Sequence, residues 1–202
     1  MSMNDSSSND FSLSDFRGRA HLIESIDAAI ALGDHAAVVQ SLRGALCRMM
    51  RERSVELPAC VLDPVADHYA RRELYVSPQY GYGVIAMTWG PGQGTPIHDH
   101  SGLWCVEGVW HGQLEITQYD LTERRGERFR FTEVGTLIAG TGSAGSLIPP
   151  HEYHTIRNAS DTDTAVSLHI YQRTMTCCGI FDTAGDGWHA YVNKQLTLDH
   201  AA

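Results

Sequence analysis

No apolar run in this sequence approaches the ~20 residues of a helical membrane span, which excludes a helical membrane protein. The opening stretch, MSMNDSSSND, has neither a basic flank nor an apolar core. No secretory signal is expected there, and residues 1–10 read as a disordered tail. Closely spaced cysteine pairs are also missing. The five cysteines, Cys47, Cys60, Cys105, Cys177 and Cys178, are odd in number and form no CxxC. That argues against a zinc knuckle or a disulfide framework and predicts free thiols in a reducing cytoplasm. Basic residues are scarce, 15 Lys+Arg against 24 Asp+Glu, for a formal charge of −9. This speaks against nucleic acid and anionic membranes as partners. What the chain holds in excess is histidine, eleven residues in 202.

A chain of this length suits one domain that buries about 70% of its unfolded surface, so folding requires no disulfide or metal. Two helical patterns lead. The first runs from about Asp15 to Leu32, with Leu22, Ile23, Ile26, Ala29 and Ile30 at helical spacing. Gly33 closes it, and Asp34 caps a second helix reaching about Arg53, striped by Val38, Val39, Leu42, Leu46, Met49 and Met50. A short third helix is expected over Asp63–His68, with Pro64 in its first turn.

From Arg72 onward the pattern changes to short β-rich runs separated by Gly, Pro and Asn/Asp turns. Such runs lie at Leu74–Val76, Gly83–Trp89, Leu103–Trp110, Gln113–Leu121, Glu127–Glu133, Gly135–Leu137, Ser146–Ile148, Tyr153–Asn158, Ala165–Arg173 and Cys178–Asp182. They predict a sandwich or barrel over residues 69–202, with the helices of residues 11–68 packed on it as one domain.

His98 and His100 flank Asp99. In a strand, residues i and i+2 share a face, so the two imidazoles form a two-point chelate for a divalent metal. Alone, HxH fits a surface strand with two solvated histidines equally well. A third histidine, His154, follows Pro149-Pro150-His151. The spacings Gly92-x5-His98-x-His100-x4-Cys105-x6-Gly112 and Gly142-x6-Pro149 … His154-x3-Asn158 resemble the two signature motifs of the cupin superfamily. The resemblance implies a double-stranded β-helix whose histidines converge on one metal. The slot that commonly holds a glutamate ligand is Cys105 here, leaving three neutral imidazoles. Ligand type alone allows iron, zinc, copper or nickel, and open positions favour catalysis over a structural site.

Residues 165–171 alternate strictly, with Val166, Leu168 and Ile170 on one face and Ser167, His169 and Tyr171 on the other. The polar row either faces solvent or lines an interior that must give it partners. Three cupin histidines, Cys105 and Ser167-x-His169-x-Tyr171 together resemble the cysteine dioxygenases, over about Tyr69 to Cys178. The resemblance implies Fe(II) on His98, His100 and His154, one ion per chain. It implies a Cys105–Tyr171 thioether, with His169 and Ser167 orienting the tyrosine hydroxyl. It implies a small thiol and dioxygen as reactants, and cysteine sulfinate as product. Two departures accompany it. Pro149-Pro150-His151 replaces the usual Pro-x-Gly, with His151 not counted as a ligand, and the Ser101–Trp104 segment differs.

The family's carboxylate-binding arginine lies in a Tyr-x-Arg context, which here is Tyr69-Ala70-Arg71. Spacing from His98 instead favours Arg72, so both stand, with Arg71 preferred by context. Arginine suits the role because its planar fork grips a carboxylate bidentately. It points to L-cysteine. The alternatives are 3-mercaptopropionate as substrate, or a metal-binding cupin of another class. His21, His35, His68, His111, His189 and His200 show no constellation, and oligomeric state is not readable.

Overall fold

The structure is a computed structural model and describes residues 13–200; the expected N-terminal tail lies outside the described residues. Two helices lead, α1 (Arg19–Ile30) and α2 (His35–Glu52). The α1 stripe Leu22, Ile26 and Ala29 is almost fully buried. Gly33 ends the helix at a positive φ of 75°. The Asp34 side chain then accepts from the Ala37 N–H at 2.9 Å, satisfying one of the free donors at the start of α2. The α2 stripe Val38, Val39, Leu42, Ala45, Leu46 and Met49 is buried, and each buried leucine contributes about 1.5–3 kcal/mol.

Eleven strands follow: β1 (Ala70–Val76), β2 (Gly83–Trp89), β3 (Ile97–His98), β4 (Cys105–His111), β5 (Gln113–Arg125), β6 (Arg128–Gly140), β7 (Ala144–Leu147), β8 (His154–Asn158), β9 (Ala165–Tyr171), β10 (Cys177–Thr183) and β11 (His189–Gln195). Strands β1-β2-β9-β4-β7 form one sheet, and β10-β11-β6-β5-β8-β3 close on themselves. The strand pairings among the described residues are all antiparallel, and alternate side chains along each strand point to opposite faces. This is the mainly β architecture expected of a cupin double-stranded β-helix with an N-terminal helical pair.

Strand β9 is central in its sheet, and all seven of its residues are buried. Val166, Leu168 and Ile170 join Val84, Ala86 and Val106 against the helices. Gly108 permits the close approach of α2: a Cβ there would stand 3.3 Å from both Leu46 Cδ1 and Met50 Cε. The opposite face of the same sheet, including Ile85, Met87, Trp89, Cys105, Val109 and Tyr171, packs with Leu114 and Ile156 from the facing strands. One sheet thus carries two cores, and the polar row of β9 falls on the inner one.

Three sequence expectations are corrected. Residues 63–68 are not helical; a 3-10 turn occupies Ala59–Leu62 instead. The carbonyls that a helix would use are taken by the barrel, with Arg72 Nη2 donating to Asp63 O and Gln93 Nε2 to Val65 O. The runs 127–133 and 135–137 are one strand, β6, which stays paired with β5 through two register shifts. Strand β11 follows the last predicted run and pairs with β10 along its whole length. Among the described residues, no helix is long and apolar enough to cross a membrane.

Candidate metal centre

His98 and His154 are direct register partners on β3 and β8, which brings their Nε2 atoms to 3.0 Å. His100 lies beyond the end of β3, so the shared face predicted for the two histidines of HxH is only partly a strand effect. The rest comes from a turn. Asp99 N donates to Gly179 O, and Asp99 Oδ1 accepts from Gly179 N and Ser101 N. Gly179 is required at this crossing, because a Cβ would collide with the Asp99 carboxylate and Tyr191. The turn aims Asp99 away from the histidines and folds His100 back toward them.

The ligating atoms of His98, His100 and His154 lie within 4.8 Å of one another. His98 Nδ1 lies 3.1 Å from Pro96 O. The N–H that this bond requires leaves Nε2 as a lone pair facing His154. His100 and His154 are fully buried, and their Nδ1 atoms have no hydrogen-bond partner. Burial pulls the pKa of both well below the ordinary imidazole value, and neighbouring histidines add to the shift. Burial lowers His98 too. Three neutral imidazoles held together with nothing but one another to satisfy their inner nitrogens are a fit for a divalent cation.

Ser167, His169 and Tyr171 are 1%, 1% and 2% exposed, so the solvent-facing reading of that row is overturned. Trp89 Nε1 donates to Ser167 Oγ at 2.9 Å, and Ser167 Oγ lies 2.7 Å from His169 Nε2. On the other side of the ring, Tyr171 Oη is 3.5 Å from Nδ1. Burial, the Arg71 charge and His98 push the His169 pKa down to about 3, so the ring is neutral at physiological pH. Cys105 pairs in register with Tyr171 across β4 and β9, and its sulfur stands 4.0 Å from His169 Nδ1. Burial pushes both the Cys105 thiol and the Tyr171 phenol well up from their usual values.

The strand register separates Arg71 from Arg72. Arg71 opposes Met87, whose side chain is on the inner face, and Arg72 opposes Ala86, on the helix-facing side. Arg71 accordingly lines a tight pocket with Tyr69, His98, His100, His169 and Tyr171. Its Nη1 donates to Thr197 O at 3.0 Å, and its Nε is unpaired. Arg72 instead donates to Thr88 Oγ1 and Asp63 O on the far side. Tyr69 stacks on Trp89 with centroids 4.6 Å apart. His151 is exposed and lies 3.9 Å from Asp120, away from the triad.

Two features escape the sequence reading. Glu107 is buried on β4, with Oε2 3.5 Å from His169 Nδ1. Alternation from Cys105 was the signal for it, since i and i+2 share the inner face. The second is the segment after β11. Asp199 Oδ2 accepts from Arg71 N at 2.8 Å, Asp199 N donates to Arg71 O and Oδ1 lies 3.0 Å from His68 Nε2, which ties this segment to the start of β1; Leu196 lines the pocket. His68, which showed no constellation in sequence, is the anchor of that segment. Asp199 and Asp67 bonds raise its pKa.

Residues 60–184 match the family described as Cysteine dioxygenase type I. Similar sequences include Cysteine dioxygenase type 1 of Danio rerio, 30% identical over 104 residues, and that of Rattus norvegicus, 28% identical over 101 residues. In both cases half of this chain and half of the relative are covered, so the chain spans about half the length of the relatives it matches. Among solved structures, an uncharacterized conserved protein with a double-stranded beta-helix domain from Klebsiella pneumoniae aligns at a TM-score of 0.43 and 14% identity. That alignment covers 55% of this chain and 77% of the other.

Proposed function

We propose, because the chain belongs to the cysteine dioxygenase type I family, that it is a non-haem iron thiol dioxygenase that converts L-cysteine to cysteine sulfinate. The observation that carries this reading is the convergence of three neutral imidazoles, two of which, His98 and His100, line the same pocket as the guanidinium of Arg71. His98, His100 and His154 would hold Fe(II). Bound there, the ion supplies a positive centre that favours the thiolate form of the substrate and activates dioxygen. The neutral ligand set is consistent with a substrate that brings its own negative charge.

The chain's residues do the remaining work. Arg71 grips the substrate carboxylate, a charge-assisted contact made strong by burial. Its field also reaches Tyr171 and His169. Tyr171 presents its hydroxyl to the same pocket, held by His169, which Ser167 and Trp89 orient from behind. Met87, Ile156, Met175 and Leu196 complete the wall and exclude water.

The test is oxygen uptake by iron-loaded protein. Cysteine consumes one dioxygen per thiol and yields sulfinate, and 3-mercaptopropionate is turned over at least about tenfold less efficiently. The reverse preference assigns the rival substrate. No uptake with either thiol leaves a metal-binding cupin of another class.

The register pair Cys105–Tyr171 supports a thioether between Sγ and the ring carbon next to the hydroxyl. Forming it breaks one S–H and one C–H bond and makes one C–S bond. Dioxygen is the oxidant and takes up the two electrons and two protons. Protein that has turned over is expected to run as two bands on denaturing gels, with the crosslinked form 2 mass units lighter, and Cys105→Gly as one. A single unshifted mass in the wild type after turnover rejects the crosslink.

A further inference from the structure

Glu107 has no place among the residues that hold the metal or the substrate, yet it is a buried acid at the centre of the fold. It opposes His169 in register across β4 and β9. Its Oε2 lies 3.5 Å from His169 Nδ1 and has no hydrogen-bond partner. The other side of the same carboxyl lies against Gly145 and lines a cavity of about 340 Å³. That cavity is bounded by β4 to β7 and by Arg43 of α2, and the exposed Leu137 and Ile138 form its rim. Glu107 therefore stands between the His169–Tyr171 pair and a space that opens to solvent.

The proposed reaction releases a proton. A thiol and dioxygen give a sulfinate anion and one H⁺: the S–H bond breaks, and both oxygen atoms end on sulfur. The pocket around the histidine triad offers that proton few acceptors. Arg71 is a donor only. Burial pushes the pKa of Tyr69, Tyr171 and Cys178 up. No carboxylate lines the pocket. The one base not reserved for the metal is His169.

We propose that Glu107 is a proton-relay and positioning residue that takes the thiol proton from His169 Nδ1 and releases it into the cavity bounded by β4 to β7. The proposal rests on the thiol dioxygenase reading. Tyr171 Oη and Glu107 Oε2 both lie 3.5 Å from Nδ1, so the phenol takes up the thiol proton as it passes its own to this nitrogen, which gives one to the far side. Ser167 makes this possible at the other end of the ring. Its oxygen is held by the Trp89 N–H and accepts from Nε2–H, which keeps its proton throughout and leaves Nδ1 the free lone pair that receives a proton and gives it up again.

The step out of the ring runs with the acidities. A proton on His169, with its pKa near 3, passes downhill to Glu107, whose pKa burial raises to about 7. At that value Glu107 both accepts and returns protons at neutral pH. The titratable and charged groups around it are Cys105 on its own strand, His169 and Tyr171 on β9, and Arg43 from α2. Strands β5, β6 and β7 present no titratable side chain to the cavity.

The experiment has two arms. In iron-loaded protein, Glu107→Gln keeps the shape and removes the exchangeable carboxyl proton. Turnover is expected to fall about tenfold or more, with iron content and KM unchanged, a larger solvent isotope effect, and loss of the inflection near pH 7. In metal-free wild type labelled with ¹³C at glutamate carboxyls and ¹⁵N at histidine, one carboxyl is expected to titrate near pH 7, with the His169 ring shifts following the same midpoint. Both signals vanish in E107Q. An unchanged rate and pH profile in E107Q overturns the relay, as does a Glu107 that titrates in the ordinary carboxylate range. The labelled wild type decides the coupling even where the variant does not fold. Absence of thiol oxidation by the wild type removes the dioxygenase reading, and with it the thiol as proton source; the nuclear resonance arm separates that failure from a failure of the Glu107–His169 link.

Discussion

His154→Ala is expected to abolish iron uptake and thiol oxidation together. His154 is fully buried, its Nε2 faces His98 Nε2 at 3.0 Å, and it makes no other side-chain hydrogen bond. Alanine removes one of three ligands, and among the described residues no other His, Cys, Asp or Glu side chain joins the cluster. Loss of a group that merely orients a ligand costs about ten- to a hundredfold in metal affinity, so loss of the ligand itself costs more. The stability penalty is smaller, because the imidazole nitrogens satisfy nothing else in the fold. His98→Ala and His100→Ala give the same result for the same reason. Metal content by mass spectrometry and oxygen uptake measure it, with circular dichroism as the folding control. Full iron content in all three variants removes the centre.

Arg71→Ala is expected to lower kcat/KM for cysteine by about thirty- to a thousandfold, mainly through KM, with iron content unchanged. The estimate follows from stripping one partner from a buried charge pair, which costs about 2–4 kcal/mol at the substrate carboxylate. Arg72 provides the internal control. It is equally buried but lies on the opposite face of β1, tied to Thr88 and Asp63. Arg72→Ala therefore lowers thermal stability and leaves KM close to wild type. Equal KM effects from both substitutions exclude Arg71 as the specific carboxylate anchor.

Legibility in the sequence tracked the range of the interaction. The α1 and α2 stripes and the alternation of β9 are local patterns, set by side-chain periods of 3.6 and 2, and the structure keeps them. The helix expected at 63–68 was also a local inference. It failed because Arg72 and Gln93 took its carbonyls from elsewhere in the chain. The alternation of Ser167, His169 and Tyr171 is matched in β4 by Cys105, Glu107 and Val109. There the resemblance explained Cys105 and left the acid two residues on without a reason.

By itself the sequence determined the three histidines, Cys105 and the Ser-His-Tyr row, because spacing within a motif is a property of the chain. It also determined the apolar face on which the helices lie. Only the tertiary structure decided which of two adjacent arginines enters the pocket. One residue of register against β2 turns a side chain from the inner face of the sheet to the outer. Tertiary pairing also decided that the polar row is buried, that Glu107 meets His169, and that residues near 199 hold Arg71 through Asp199. Each of these contacts joins strands or segments distant in sequence, and strand pairing, rather than the local period of any one strand, sets which side chains meet.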